Sequence, residues 1–428
     1  MMKASYYTLG CKVNKYETDA MQEILESRGF ETVEFGQQTD FCIINTCTVT
    51  AMADKKSRQI VSRACSEASH VIVCGCMTQH TQDVLQKDNV DAVMGSNGKN
   101  HISGIIDRIL AGERKINAVE EFSREEPYEE LSVSRTHERT RANIKICDGC
   151  DMFCTYCIIP YVRGRVRSRR PEEIVKEAEI LAGTGVKEII LTGIHVSSYG
   201  KDLGDTSFID ILELLQDVDG IERIRLSSLE PGILTEDFCS RASRLTKLCP
   251  HFHISLQNGS DTVLKRMNRK YDTNGYRHGV ELLRKYFDRP AITTDVICGF
   301  PGETEKEFDE NKAFLREIGF SRLHVFPYSP REGTVAARMP DQITNAVKKQ
   351  RTNEVIALGR TMADEYTLSL VGTDHRVLLE TEKGNGICEG YIERYLSLDV
   401  KGDPGEIKTI TITGLKDGRI EYILKQEE

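Results

Sequence analysis

At mid-chain the stretch CDMFCTYC sets Cys150, Cys154 and Cys157 in a C-x3-C-x2-C array. Three thiolates fill three corners of a cubane iron–sulfur cluster and leave the fourth iron open to a substrate or cosubstrate, whereas a four-cysteine site is closed. The spacing also lies within the range of a zinc knuckle, although no fourth Cys or His follows at ligand distance. Three ordinary core cysteines are the remaining reading. The chain holds 14 cysteines, and its opening, MMKASYYTLGCKVN, has no apolar signal core. That combination argues for reduced thiols, metal sites or catalysis in the cytoplasm rather than a disulfide framework. No apolar run approaches the length of a membrane span.

The elements that must position this loop read as three blocks in 428 residues. In residues 1–112, apolar runs at Ser5–Leu9, Phe41–Asn45, Val71–Gly75 and Ala92–Met94 are each followed by a stretch of helical length, the cadence of a parallel α/β sheet. Residues 113–140 are charged and read as a linker. From residue 141 to 370 strand candidates recur at Asn143–Ile146, Glu188–Thr192, Arg223–Ser227, His251–Leu256, Thr293–Cys298 and Leu323–Tyr328, with helices between and a helix around Asn345–Leu370 at the end. Six βα units predict a barrel or a partial (β/α)6 barrel. Residues 371–428 are short strands broken by KGNG, KGDPG and KDG turns, a small all-β barrel. No GxxxxGK[ST] phosphate loop occurs.

Catalytic loops of such sheets lie at the carboxyl ends of the strands, and Cys150, Cys154 and Cys157 follow the first barrel strand. A second set emerges from the same rule. Cys11 in TLGCKVN, Cys47 in INTCTVT and Cys76 in VCGCMT each come just after a strand, 36 and 29 residues apart. Neighbouring parallel strands bring these thiols to one edge. Buried structural cysteines are the alternative.

Net charge is −9, which taken alone argues against nucleic acid. Between Arg141 and Arg170, however, seven Lys/Arg face two Asp, and Arg163, Arg165, Arg167, Arg169 and Arg170 crowd into RGRVRSRR directly after the cysteine array. A basic edge beside a metal site suits an anionic substrate; a solvated basic helix start is the plainer reading.

The loop CDMFCTYCIIPYVRGRVRSR, together with SSLEP (227–231), HISLQNGSDTVLKRMNRKY (253–271), DVICGFPGET (295–304) and HVFPYSPREGTVAARMP (324–340), resembles the radical S-adenosylmethionine (SAM) methylthiotransferases over nearly the whole chain. The terminal barrel resembles that family's RNA-binding TRAM domain. LGCKVNKYET and NTCTVTAMADKKSRQ resemble the branch acting on N(6)-threonylcarbamoyladenosine at position 37 of tRNA. The other branches act on isopentenyladenosine in tRNA or on a ribosomal protein. A non-catalytic, metal-stabilised RNA-binding protein is the reading from another class.

The resemblance implies two 4Fe-4S clusters. The one on Cys150, Cys154 and Cys157 binds SAM and cleaves it reductively, and the resulting 5′-deoxyadenosyl radical takes hydrogen from carbon 2 of the adenine. The one on Cys11, Cys47 and Cys76 supplies sulfur, methylated by a second SAM. Tyr156 then packs at the adenine of SAM, and Gly193, Glu230, Gln257 and Ser260 lie on the SAM-facing strand ends. Gly193 can equally be a turn residue, Glu230 a partner of Arg225 or Arg163, and Asp295 a helix cap. The implied partners are the tRNA anticodon loop and an electron donor such as a flavodoxin-type protein. Arg163, Arg165, Arg167, Arg169 and Arg170 are the expected phosphate contacts. Residues 374–428 carry eight Lys/Arg against twelve Asp/Glu, so RNA binding there needs a local face, expected around Tyr391, Arg394 and Tyr395. Cys74 and Cys147, each close to a ligand cysteine, depart from the family pattern and are possible competing ligands.

Overall fold

The computed structural model describes residues 1–123, 126–135 and 140–425. In the first block, β1 (Lys3–Thr8) leads into α1 (Lys12–Ser27), β2 (Glu31–Val33), β3 (Thr39–Thr46), α2 (Ala51–Glu67), β4 (Ala68–Gly75), α3 (Cys76–His80), β5 (Val90–Met94), α4 (Ile102–Leu110) and β6 (Ile116–Ala118). The six strands form one sheet in the order β2-β1-β3-β4-β5-β6, all parallel. β3 and β4 are buried nearly throughout because helices cover both faces, as is usual for a parallel sheet. β2 and β6 escaped the reading of the sequence because each is a three-residue edge strand in a charged stretch.

β6 falls inside the segment read as a linker, so that boundary is corrected: the sheet extends to Ala118. The segment also buries Tyr128, Leu131 and Val133, with Leu131 and Val133 packed on Tyr16 and Ala20 of α1. Its residues 124–125 and 136–139, and residues 426–428 of the terminal block, lie outside the described residues.

The central block runs β7 (Arg141–Asp148), α5 (Ile159–Arg163), β8 (Arg167–Ser168), α6 (Pro171–Gly183), β9 (Glu188–Gly193), α7 (Phe208–Gln216), β10 (Arg223–Leu226), α8 (Glu236–Ala242), β11 (His251–His253), α9 (Asp261–Arg266), α10 (Thr273–Tyr286), β12 (Ala291–Cys298), α11 (Glu305–Ile318), β13 (Arg322–Pro327) and α12 (Asn345–Ser369). Strands β7, β9 and β10 pair in parallel, as do β11, β12 and β13. The bridges Ile224–Leu248 and Leu229–Ile254 join the two groups into the expected partial barrel. Sequence marks the helix starts well: Pro171 opens α6 with Glu172 and Glu173 in its first turn, and Thr304 and Glu307 form a capping box on α11.

The last block is β14 (Asp374–Gly384), β15 (Ile387–Ile392), β16 (Ser397–Lys401), β17 (Ile407–Lys416) and β18 (Arg419–Leu424). They form an antiparallel sheet in the order β16-β15-β14-β17-β18. It curls until the Tyr422 hydroxyl on β18 donates to the Asp399 carbonyl on β16 at 2.8 Å, leaving a nearly closed barrel.

Candidate active site

Cys11, Cys47 and Cys76 follow β1, β3 and β4, three adjacent strands of the first sheet. Their loops are laced together. Asn14 Nδ2 donates to the carbonyls of Leu9 (2.7 Å) and Thr46 (2.9 Å), and Thr46 Oγ1 donates to the Cys74 carbonyl at 2.6 Å. Cys11 is the residue preceding the first turn of α1, where the helix dipole favours an anionic thiolate. Gly75 sits at φ +102° immediately before Cys76, and a Cβ there would lie 2.5 Å from Asn45 Oδ1. Only glycine turns the chain so tightly at that point. Burial, then the neighbouring Cys76 and Cys11 thiols, push Cys47 up to about 11.

The barrel set is positioned by different means. Gly149, at φ +73°, lets the Arg165 carbonyl pass where a Cβ would sit, and the Cys150 N–H then donates to the Gly164 carbonyl at 3.0 Å. Across the loop, Thr155 N–H reaches the Met267 carbonyl (3.0 Å) and Asn268 Nδ2 the Phe153 carbonyl (2.9 Å). Burial raises Cys150 to about 11 and Cys157 to about 12, and the neighbouring thiols push the same way. Arg269 Nη1 donates to the Cys154 sulfur at 3.1 Å and to the Tyr156 hydroxyl at 3.4 Å, while its Nη2 donates to Glu230. Glu230 therefore pairs with Arg269, whereas Arg225 pairs with Glu188 and Arg163 with Glu17 and Asp148. Sequence reasoning missed Arg269; its place in HISLQNGSDTVLKRMNRKY, two residues after Met267, was the available signal.

Beside this loop lies a cavity of about 790 Å³ lined by Met152, His195, Ser197, Glu230, Lys270 and Tyr271 among others. Glu230 Oε2 and His195 Nε2 are buried there without a hydrogen-bond partner among the described residues. Burial raises the Glu230 carboxyl, and burial with Lys201 and Arg269 nearby lowers His195 to about 4, so the imidazole is neutral at pH 7. A larger cleft, of about 1070 Å³, runs through the barrel; Cys11, Gly193, His253, Asp295, His324 and Tyr395 are on its wall. It brings Cys11 of the amino-terminal set to the barrel interior. Asp295 lies on β12 with Oδ2 3.4 Å from His253 Nε2, so it is not a helix cap. Gly193 is a point of close approach: a Cβ there would lie 2.5 Å from Cys147 Sγ. Gln257 holds a left-handed backbone (φ +70°) through its bonds with Asp295 and Ile297. Ser260 precedes α9 and commits its hydroxyl to Glu310 at 2.7 Å, pointing it at α11.

Several expectations are corrected. Arg163, Arg167 and Arg169 are buried, not presented to an RNA. Their partners lie within the chain: Glu17, 146 positions away, and Asp148 for Arg163, Glu177 for Arg169, and the nearby carbonyls of Arg163 and Arg165 for Arg167. Arg165 and Arg170 alone of the five are exposed, each paired with an exposed aspartate. The terminal-domain trio serves as a joint to the barrel and also lines the larger cleft. Tyr395 stacks on His251 with ring centres 5.0 Å apart and on Tyr391 at 5.1 Å, and Arg394 donates to the carbonyls of Asp288 and Arg289. Cys74 and Cys147 are fully buried in the two main cores.

All fourteen cysteines are free. Among the described residues no three Cys, His, Asp or Glu side chains close around a single-ion site. A cubane asks for a wider arrangement, because each thiolate goes to its own iron. Two sets of three free thiols, in which burial and then neighbouring thiols disfavour ionisation of Cys47 and Cys157, fit cationic iron of that kind.

A partial parallel barrel with a three-cysteine loop on its carboxyl rim is the architecture of a radical SAM protein, and residues 144–315 match the model of the Radical SAM superfamily. Residues 3–95 match the model described as Uncharacterized protein family UPF0004. The chain is 42% identical to the threonylcarbamoyladenosine tRNA methylthiotransferase MtaB of Bacillus subtilis, covering 98% of this chain and 95% of that protein. It is 36% identical to the MtaB of Thermotoga maritima over 96% of this chain and 94% of that one. It is 35% identical to the tRNA-2-methylthio-N(6)-dimethylallyladenosine synthase of Pelotomaculum thermopropionicum over 99% and 98%. The chain belongs to the radical SAM methylthiotransferase family. Among solved structures, the radical SAM methyltransferase TsrM of Kitasatospora setae shares the fold, with a TM-score of 0.57 at 14% identity over 77% of this chain and 74% of that one. Among the described residues no helix is long and apolar enough to cross a membrane.

Proposed function

We propose that the chain transfers a methylthio group to carbon 2 of N(6)-threonylcarbamoyladenosine at position 37 of tRNA. In this reading Cys150, Cys154 and Cys157 hold one 4Fe-4S cluster and Cys11, Cys47 and Cys76 a second. The observation that carries it is that one set is docked beside the other's loop: Cys76 packs on Ile158 and Val162, in the segment that follows Cys157. Full-length similarity to two enzymes named for the threonylcarbamoyl nucleoside supports that branch.

When bound, the clusters and SAM supply the one-electron and sulfur chemistry that an unactivated aromatic C–H requires and acid–base groups lack. The chain holds and shields. Arg269 fixes the Cys154 thiol, Glu230 and Tyr156 relative to one another. Glu230 and His195 offer a carboxylate oxygen and a neutral ring nitrogen to polar groups of SAM. Tyr156 packs at its adenine, Gly193 lies on the wall of the larger cleft, and Gln257 is bonded to Asp295 of that wall. Ser260, just before α9, turns its hydroxyl to Glu310 of α11 instead of to the cosubstrate. The target base leaves its stack to enter the cleft. Arg165 and Arg170 are the phosphate contacts retained from the basic run. A flavodoxin-type protein is the proposed electron donor, in a cytoplasmic setting. The working units are residues 1–118, a connecting segment to 140, 141–370, and a TRAM-like 371–428.

The test is an anaerobic assay of reconstituted protein with SAM, a strong reductant and tRNA lacking the carbon-2 modification, followed by mass spectrometry of the nucleosides. Gain of one methylthio group on threonylcarbamoyladenosine is the expected result. Gain on isopentenyladenosine instead overturns the branch, and SAM cleavage without any modified nucleoside overturns the RNA substrate.

A further inference from the structure

Arg163 is completely buried where the amino-terminal domain docks on the barrel. Its guanidinium has five N–H groups, and the structure gives each a partner. Nη1 donates to Glu17 Oε1 and to Asp148 Oδ2 (3.1 Å), and Nη2 to Asn14 Oδ1 (2.6 Å) and Glu17 Oε2 (3.2 Å). The fifth, on Nε, points at the Cys76 sulfur at 3.3 Å. A neutral thiol is a weak acceptor, so a buried cationic donor spent on one is poorly compensated; an anionic or iron-bound sulfur accepts it well.

The charges around it lean the same way. Lys99 and Lys145 join Arg163 on Glu17, and Lys145 also meets Asp148 at 2.6 Å. Three buried cations thus gather on Glu17 and Asp148, with Glu129 also acting on Lys145, and of the three Arg163 is the one that reaches a cysteine sulfur. The same lattice ties Asn14, which takes the Cys11 thiol at 3.7 Å, to the arginine.

We propose that Arg163 is a positioning residue for the amino-terminal cluster: its Nε–H donates to the Cys76 sulfur, fixes that ligand against the barrel, and favours the more negative, reduced state of the cluster. The proposal rests on the reading that Cys11, Cys47 and Cys76 hold a cluster. Hydrogen bonds to ligand sulfur are among the levers that set iron–sulfur potentials, and outer partners orient the ligands themselves.

The experiment uses the full chain carrying Cys150→Ala, Cys154→Ala and Cys157→Ala, so that one cluster remains, grown with 15N-arginine and reduced for pulsed electron paramagnetic resonance. A 15N coupling to the cluster is expected, and it disappears in the further variant Arg163→Lys. An EPR-monitored redox titration should move the midpoint of Arg163→Lys to a more negative potential. A cluster with no 15N coupling, or an unmoved midpoint in a loaded Arg163→Lys protein, overturns the proposal. If Arg163→Lys does not fold, the coupling in the arginine-bearing protein still decides. If the triple variant takes up no iron, the two-cluster reading itself falls, and this proposal with it.

Discussion

Glu188, at the amino end of β9, is fully buried and gathers three arginines. Arg225 meets it through Nε (2.6 Å) and Nη2 (3.0 Å), with Arg223 at 3.5 Å and Arg141 at 4.0 Å. Those arginines in turn seat the terminal β-domain: Arg223 donates to the Tyr391 carbonyl (2.9 Å), Arg225 to that of Glu393 (3.0 Å), and Arg225 lies 4.7 Å above the Tyr395 ring. Against the cost of burial, the arginines, Arg225 foremost, hold Glu188 at about 2 instead of 4.5. At ~1.4 kcal/mol per pH unit, that gap is worth roughly 3 kcal/mol. Removing one partner of a buried ion pair costs about 3–5 kcal/mol, so the two routes agree. Glu188→Gln should therefore lower unfolding free energy by ~3 kcal/mol in urea at pH 7 and open the junction after Ser369 to protease. The sign is fixed by linkage. An acid depressed in the fold contributes stability that is full above about 4.5 and lost as pH falls through about 2. The gap between wild type and variant must narrow across that window. Glu188→Gln combined with Arg225→Met should recover part of the loss, since the nearest of the three stranded charges is gone. A single variant within ~0.5 kcal/mol of wild type, or one that is destabilised with its junction still protected, would refute the reasoning.

Other outcomes follow from the same contacts. Cys154→Ala should abolish SAM cleavage, while Cys47→Ala should still release 5′-deoxyadenosine yet leave tRNA without the methylthio group; loss of cleavage in both would end the division of labour. Gly75→Ala forces a Cβ against Asn45 and a left-handed backbone on alanine, so ~1–3 kcal/mol of stability and much of the iron bound by the amino-terminal set should go; calorimetry and iron analysis check it. Arg269→Gln gives up a charged hydrogen bond to Cys154 and the pair with Glu230, about 1.5–3 kcal/mol, which predicts a roughly 10- to 150-fold slower formation of 5′-deoxyadenosine.

The strands of the first sheet and of the barrel were legible because long apolar runs leave little choice of structure, and the cysteines were legible because they sit where those runs stop. The basic run was misread for a definable reason. Its alternation through Gly164 and the two-residue β8 turns Arg163, Arg167 and Arg169 inward, and the acids that accept Arg163 and Arg169 are at Glu17, Asp148 and Glu177, mostly outside any local window. The same holds for Tyr395, whose stacking partner His251 is 144 positions away in sequence. Charge and aromaticity announce a partner without saying whether it is another molecule or the rest of the chain.

Helix α1 belongs to two domains at once. It opens with Cys11, sends Glu17 to Lys145 and Arg163 of the barrel, and seats the Tyr16 hydroxyl on Glu177 of α6 at 3.0 Å. Over its 16 residues it is a rod of about 24 Å. Cys11 is thereby tied to the barrel through one regular helix. In the proposed reaction the base comes to that thiol by leaving its stack. Choice among tRNAs becomes partly a mechanical matter, decided by how cheaply an anticodon loop gives up its base as well as by the groups that read it.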